Sequence, residues 1–242
     1  MIFLLLLLVM SFTYYYNSNQ PIKISDNTKK IANTSFLDNG SLWEYNSIIY
    51  FFNLIPKDKP VNIIDIGANV GLYSLYAKYL SNAHFYSFEP FDINYNLLNE
   101  NILLNDISNV NTYKIALGEK ECKSILNTCK SHSGLHTMGN NPLRFNDINP
   151  VEIDVNTLDN IFFNNDITVD YIKIDTEGYE YYILKGGEKT IKKYKPIIQI
   201  EYNVTNMKQC NITPDELNNY INNELEYKIL NLIDEELIII PK

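Results

Sequence analysis

The chain has 242 residues, 45% of them hydrophobic, which is enough to bury the core of one sizeable domain. Its formal net charge is −9, and Arg144 is the only arginine. Binding a polyanion takes many neutralising cations, with Arg favoured at phosphates, so no nucleic-acid partner is expected.

The chain opens with the leucine-rich run Ile2–Met10, extended more weakly to Tyr16, with no charge before Lys23. The run is short for a spanning helix, which takes about 20 residues. It also lacks the basic start and small-residue cleavage site of a signal peptide. Residues 1–16 are expected to act as an uncleaved signal-anchor, with a cleaved signal peptide or a buried helix as alternatives. The expected location is therefore membrane-associated or secretory, with the side of the membrane left open. Residues 17–40 read as a polar linker and 41–242 as the folded domain. Asn33, Asn39, Asn203 and Asn211 begin N-x-[ST] triplets, which chance supplies in a chain this rich in Asn.

Within the domain, Trp43, Ile48, Ile49, Phe52 and Leu54 have helical spacing. Apolar runs then alternate with helical patterns. Strands are expected over Val61–Gly67, His84–Glu89, Val110–Leu117, Tyr171–Asp175 and Ile197–Tyr202. Helices are expected over Leu72–Leu80, Ile93–Leu104, Leu158–Phe163, Glu180–Tyr194 (weakened at Gly186–Gly187) and Pro214–Leu225, the last capped by Thr213. Tyr227–Ile233 and Leu237–Ile240 are too close for a crossover helix and read as an antiparallel hairpin. This is an α/β, doubly wound and mostly parallel sheet with a C-terminal antiparallel hairpin, the Rossmann-like plan of class I methyltransferases. The polar stretch 122–155 breaks the alternation and reads as a long loop, an insertion expected to close over the sheet edge as a substrate lid. Cys122, Cys129 and Cys210 lack metal-ligand spacing, so free thiols are expected rather than a Cys122–Cys129 bridge, and no metal is expected.

In such a sheet, ligands bind beyond the carboxyl ends of the strands. The first strand ends in D-I-G-A-N-V-G, with Asp65, Gly67, Asn69 and Gly71 leading into the next element. Asn69 stands where a dinucleotide fingerprint has Gly, which suits S-adenosylmethionine better than a pyrophosphate; a plain tight turn is the alternative. Glu89, at the end of the second strand, is placed to accept from both ribose hydroxyls. A solvated strand-end acid is its bland reading. Ala116 and Leu117 could flank adenine or be plain core. Asp175, Glu177 and Glu180 follow the fourth strand, where helix capping explains one or two of them but hardly all three. His132 and His136 lie in the polar insertion, where a solvent-exposed histidine is the common outcome. Lys173 shares a strand face with Asp175 and could pair with it.

Several ordered motifs resemble the FkbM-type methyltransferases. They are I-D-I-G-A-N-V-G at Ile64–Gly71, F-E-P at Phe88–Pro90, N-x-x-x-N at Asn101–Asn105 and N-T-L-D at Asn156–Asp159. I-K-I-D-T-E-G-Y-E at Ile172–Glu180, L-K-G-G at Leu184–Gly187 and P-I-I-Q-I-E at Pro196–Glu201 follow. The resemblance implies an S-adenosylmethionine-dependent enzyme in which Asp65, Gly67, Asn69, Gly71 and Glu89 bind the cofactor, with Asp175 and Glu177 at the transfer site. The expected reaction is O-methylation of a sugar or glycan hydroxyl, with Asp175 as base and His136 as second choice. A lipid, polyketide or protein carboxyl is the alternative acceptor, and the N-terminal run makes the membrane a partner. A nicotinamide oxidoreductase and a non-catalytic binding module are the readings from other classes.

Overall fold

The computed structural model describes residues 22–25, 27–28, 37–38, 41–42, 44–140, 142, 144 and 146–242. The run Ile2–Met10, Asn33, Asn39 and Trp43 lie outside the described residues. Among the described residues, no helix is long and apolar enough to cross a membrane.

A seven-stranded sheet carries the domain. Its strands are β1 (Val61–Ile66), β2 (Ala83–Phe88), β3 (Val110–Tyr113), β7 (Tyr171–Ile174), β8 (Ile197–Glu201), β9 (Tyr227–Ile233) and β10 (Glu236–Pro241). The order across the sheet is β3-β2-β1-β7-β8-β10-β9. The strands β3 to β8 pair in parallel, and β10 runs antiparallel to both β8 and β9. β4 (Ala116–Leu117), β5 (Cys122–Cys129) and β6 (Ile148–Asn156) form a separate three-stranded sheet. The reversal between β1 and β7 opens a crevice at the carboxyl ends of the central strands.

Parallel strands covered on both faces read as continuous apolar runs, and β1 is V-N-I-I-D-I for that reason. Ile64, Ile66, Ile172 and Ile174 pack in one core cluster. Ile63, Phe85 and Tyr171 pack in the other, beneath helix α1 (Tyr45–Asn53). Burying each such side chain contributes roughly 1.5–3 kcal/mol.

Helix α2 (Asp92–Leu104) turns Asn94, Leu97, Leu98, Asn101 and Ile102 inward. The motif Asn101–Asn105 is explained by this face. Asn101 Nδ2 donates to Val70 O at 2.9 Å, while its Oδ1 accepts from Ser25 N–H at 2.9 Å. Asn105 Oδ1 accepts from Lys23 N–H at 2.7 Å, and its Nδ2 donates to Lys23 O at 2.7 Å. The pair fastens segment 22–28 beside the turn that follows β1.

Several sequence expectations are corrected. Leu72–Leu80 is not an α-helix but a 3₁₀ turn at Ser74–Tyr79, whose consecutive residues Ser74–Ala77 are all buried and so cannot follow a 3.6 period. The single strand expected over Val110–Leu117 divides: β3 stays in the main sheet and β4 pairs with β6 instead. Segment 122–155 is not a long loop. Its ends, β5 and β6, pair antiparallel over their whole length, from Cys122–Val155 to Cys129–Ile148. The helical stretch Glu180–Tyr194 breaks where Gly186–Gly187 mark it, into α3 (Glu180–Gly186) and α4 (Glu188–Tyr194). A further helix, α5 (Val204–Gln209), has Asn203 as its N-cap, so this triplet asparagine accepts from Thr205 and Asn206 N–H. The cap at Thr213 on α6 (Pro214–Asn219) is a full capping box. All three cysteines are free.

Gly186 shows why the α3–α4 break falls where it does. A Cβ there would lie 1.9 Å from Gly118 O, so only glycine lets the helix end meet that loop. Gly186→Ala is expected to lower unfolding free energy by about 1–3 kcal/mol. Thr213→Ala is expected to lower it by about 1 kcal/mol. Urea melts followed by circular dichroism measure both.

Candidate active site

β1 ends at Ile66, and the backbone then turns through Gly67 (φ 75°), Asn69 (φ 50°) and Gly71 (φ 100°). Gly67 and Ala68 N–H both donate to Phe88 O at 3.0 Å, which ties the turn to the end of β2. A Cβ on Gly67 would sit 1.8 Å from Asp175 O, so glycine is required for the ends of β1 and β7 to touch. Glu89 follows β2 and is nearly enclosed. Its Oε2 accepts from Asn69 N–H and its Oε1 from Phe91 N–H, both at 2.9 Å. Burial pushes its pKa up to about 7, against the pull of those two N–H groups.

Turn and acid open on one common cavity. Of the expected residues, Gly67, Asn69, Glu89, Ala116, His136, Asp175 and Glu177 all line it. Asp65 and Gly71 do not. Asp65 is 1% exposed, accepts from Ser74 Oγ at 2.6 Å and lies 3.7 Å from Lys173 Nζ. It therefore supports the turn from beneath, and burial raises its pKa.

Lys173 is at once the buried cation of the site and its hub. Its Nζ lies 3.2 Å from Asp175 Oδ2 and donates to Gly67 O at 3.2 Å. Burial works against this ammonium, but Asp175 and Asp65 more than offset it and hold its pKa above the ordinary lysine value. Glu177, held at φ 56°, accepts from Arg144 Nη1 at 2.8 Å and from Asn206 Nδ2 at 2.7 Å. Burial and the Asp175 charge push it up to about 8. Asn206 also donates to Glu201 Oε1 at 2.6 Å. Burial, then Glu177 and Asp175, raise Glu201 well above the carboxylate range. Glu180 does not reach the cavity; its Oε1 accepts from Thr176 and Gly178 N–H, capping the turn before α3.

His136 faces the cavity in a role the sequence does not suggest. Its Nδ1 accepts from Cys129 N–H at 3.1 Å, which leaves the ring proton on Nε2. Burial, then His132, pull its pKa down to about 4, so the ring is neutral and its inward nitrogen donates. A base there would need the other tautomer. Arg144 does not line the cavity but reaches it through Glu177. Two lining residues escape sequence reasoning. Asn94 sits in the apolar stripe of α2, where a polar residue is the signal, but the abundance of Asn hides it. Met138 lies in the insertion and carries no signal of its own.

The raised carboxyls set a pH dependence. A carboxyl with a higher pKa folded than unfolded stabilises the fold fully below its unfolded value and loses that contribution as pH rises through its folded value. Glu89 and Glu177 place that loss up to about pH 8. His136 acts oppositely, but only below its ordinary value of 6.5. The melting temperature is therefore expected to fall between pH 6.5 and 8.5. Glu201→Gln keeps the acceptor for Asn206, removes a raised carboxyl, and is expected to raise the melting temperature at pH 8 by several degrees while flattening the slope. Differential scanning calorimetry across that pH range checks the sign.

The residues also fit S-adenosylmethionine: a glycine turn that a Cβ would fill, a strand-end carboxylate for a ribose, and buried polar atoms facing the cavity without partners. The Methyltransferase FkbM domain profile matches residues 65–229, more than half of the chain. No curated protein sequence matches significantly. Among solved structures, methyltransferase FkbM from Methylobacillus flagellatus is 19% identical, with a TM-score of 0.48, over 77% of this chain and 44% of that one. The chain thus spans less than half the length of that protein. A Streptococcus mutans protein assigned as a methyltransferase, solved with SAH, is 10% identical, with a TM-score of 0.46, over 81% and 94% of the two chains. A Staphylococcus aureus protein assigned as a caffeoyl-CoA O-methyltransferase is 12% identical, with a TM-score of 0.55, over 97% and 98%; this likeness shows the fold. With the profile covering both the glycine turn and the Asp175–Glu177 strand end, the chain belongs to the FkbM methyltransferase family, whose cofactor is S-adenosylmethionine.

Proposed function

We propose that the protein methylates a hydroxyl oxygen of a sugar or glycan. The observation that carries this reading is a cavity lined by Glu89, Asp175 and Glu177, with no Lys or Arg among its described lining residues. Lys173 and Arg144, the cations nearest by, are already paired with Asp175 and Glu177. Such a site offers hydrogen-bond partners to a neutral polyol and no unpaired cation to a phosphate or carboxylate acceptor, which favours a glycan over a protein carboxyl.

S-adenosylmethionine, when bound, supplies an electrophilic methyl group on a sulfonium. Glu89 accepts from the ribose hydroxyls through the lone pairs not used by Asn69 and Phe91. The Gly67–Asn69 backbone lets the ligand approach closely. Asp175, fixed by Lys173, orients the acceptor hydroxyl and takes its proton, while Glu177 holds a second acceptor hydroxyl. Alignment of acceptor and donor is the larger part of such catalysis, and proton removal adds to it. The segment between β5 and β6 supplies Gly134, His136 and Met138 to the cavity wall and serves as the substrate lid. An encounter with the acceptor at a membrane belongs to the same proposal and rests on the run Ile2–Met10.

Isothermal titration with S-adenosylhomocysteine is expected to show binding that Glu89→Ala weakens roughly 10–100-fold, as loss of hydrogen bonds to a charged group would. Binding is expected to weaken as pH falls below about 7, where Glu89 takes up a proton. Asp175→Asn is expected to keep cofactor affinity and lose on the order of 10²-fold or more in turnover. Labelled cofactor offered to separate glycan, lipid and protein fractions tests the acceptor. Label appearing in protein or lipid alone would overturn the glycan reading.

A further inference from the structure

Two buried polar atoms of the cavity wall have no partner and are complementary to each other. His136 Nε2 carries the ring proton, because Nδ1 accepts from Cys129 N–H, and this donor is buried and unmatched. Asn94 is 2% exposed. Its Nδ2 donates to Ser133 O at 3.1 Å, which leaves Oδ1 as a buried acceptor without a partner. Leaving such a group unmet is costly, and folded proteins rarely do so without a ligand or water to meet it.

The surroundings specify the ligand. Both residues line the same cavity as Glu89 and Pro90, and Phe91 holds the His136 ring edge-on, centroids 4.7 Å apart. Ile115, Leu126 and Met138 supply apolar wall to the same space. A flat heteroaromatic ring suits that wall, and a ring edge carrying an amino group and a ring nitrogen offers a partner to the one acceptor and the one donor. Adenine has such an edge, and it is bonded directly to the ribose that Glu89 is placed to hold.

We infer that Asn94 and His136 read the adenine of the cofactor, Asn94 Oδ1 accepting from the exocyclic amino group and His136 Nε2–H donating to the neighbouring ring nitrogen. This rests on the cofactor reading above and deepens it. It turns His136 from a candidate base into a specificity residue contributed by the insertion between β5 and β6. It also gives Asn94, on α2, a reason to occupy an otherwise apolar helix face.

Titration calorimetry with S-adenosylhomocysteine and with S-inosylhomocysteine tests it. Hypoxanthine replaces the amino donor with a carbonyl oxygen, which would face Asn94 Oδ1. The unmodified protein is expected to prefer the adenosyl ligand by at least about tenfold. His136→Phe keeps the ring against Phe91 without the donor, and Asn94→Leu keeps the volume without the acceptor. Each is expected to weaken adenosyl binding about tenfold and to shrink the adenosyl-to-inosyl ratio. That ratio compares two ligands on one protein, so a loss of stability common to both cancels. Equal binding of the two ligands by the unmodified protein, or an unchanged ratio in both variants, would overturn the inference while leaving the cofactor reading intact. Binding of neither ligand by the unmodified protein would overturn the cofactor reading itself.

Discussion

One buried ammonium organises the crevice. Lys173 lies directly across from Asp65 in the β1–β7 register, and its Nζ reaches Asp65, Asp175 and the Gly67 carbonyl, with the Tyr73 ring 4.9 Å away. These contacts join the end of β1, the end of β7 and the glycine turn at a single point. Removing one partner of a buried pair leaves the other charge uncompensated, usually at a cost of about 3–5 kcal/mol. Asp65, at 1% exposure, would have no other cation to turn to among its described neighbours. The backbone approach of Gly67 to Asp175 is thus enforced twice, by the lack of a side chain at Gly67 and by the cation that draws the strand ends together.

Around that cation the charge is unbalanced toward the negative. Glu44, Glu177, Glu201 and Glu236 all act electrostatically on Lys173, Asp175 or one another, and burial raises Glu201 and Glu236 well above the carboxylate range. That imbalance is relieved by protonation, because carboxyls raised in this way are held as neutral acids.

The sheet was legible because its physics is local. Buried parallel strands are apolar runs, V-N-I-I-D-I and Y-I-K-I among them, and these two lead directly into Gly67 and Asp175. What escaped has particular causes. Residues 122–155 look polar, yet Val151, Ile153 and Val155 alternate with charged residues as a half-buried strand does, and the ribbon follows from them. Ser74–Ala77 is buried on every side, so no helical stripe marks how tightly it winds. In the site, strand-end residues were readable from position alone. Asn94 and the donor state of His136 were not, because they depend on Ser133 and Cys129, brought near only by the chain's return from the insertion.

The amide of Asn101 has a mechanical consequence. One side chain grips Val70, within the turn that leaves β1, and Ser25, far upstream in the chain. A displacement of Ser25 would therefore be passed through a single helix residue to the turn that leaves β1.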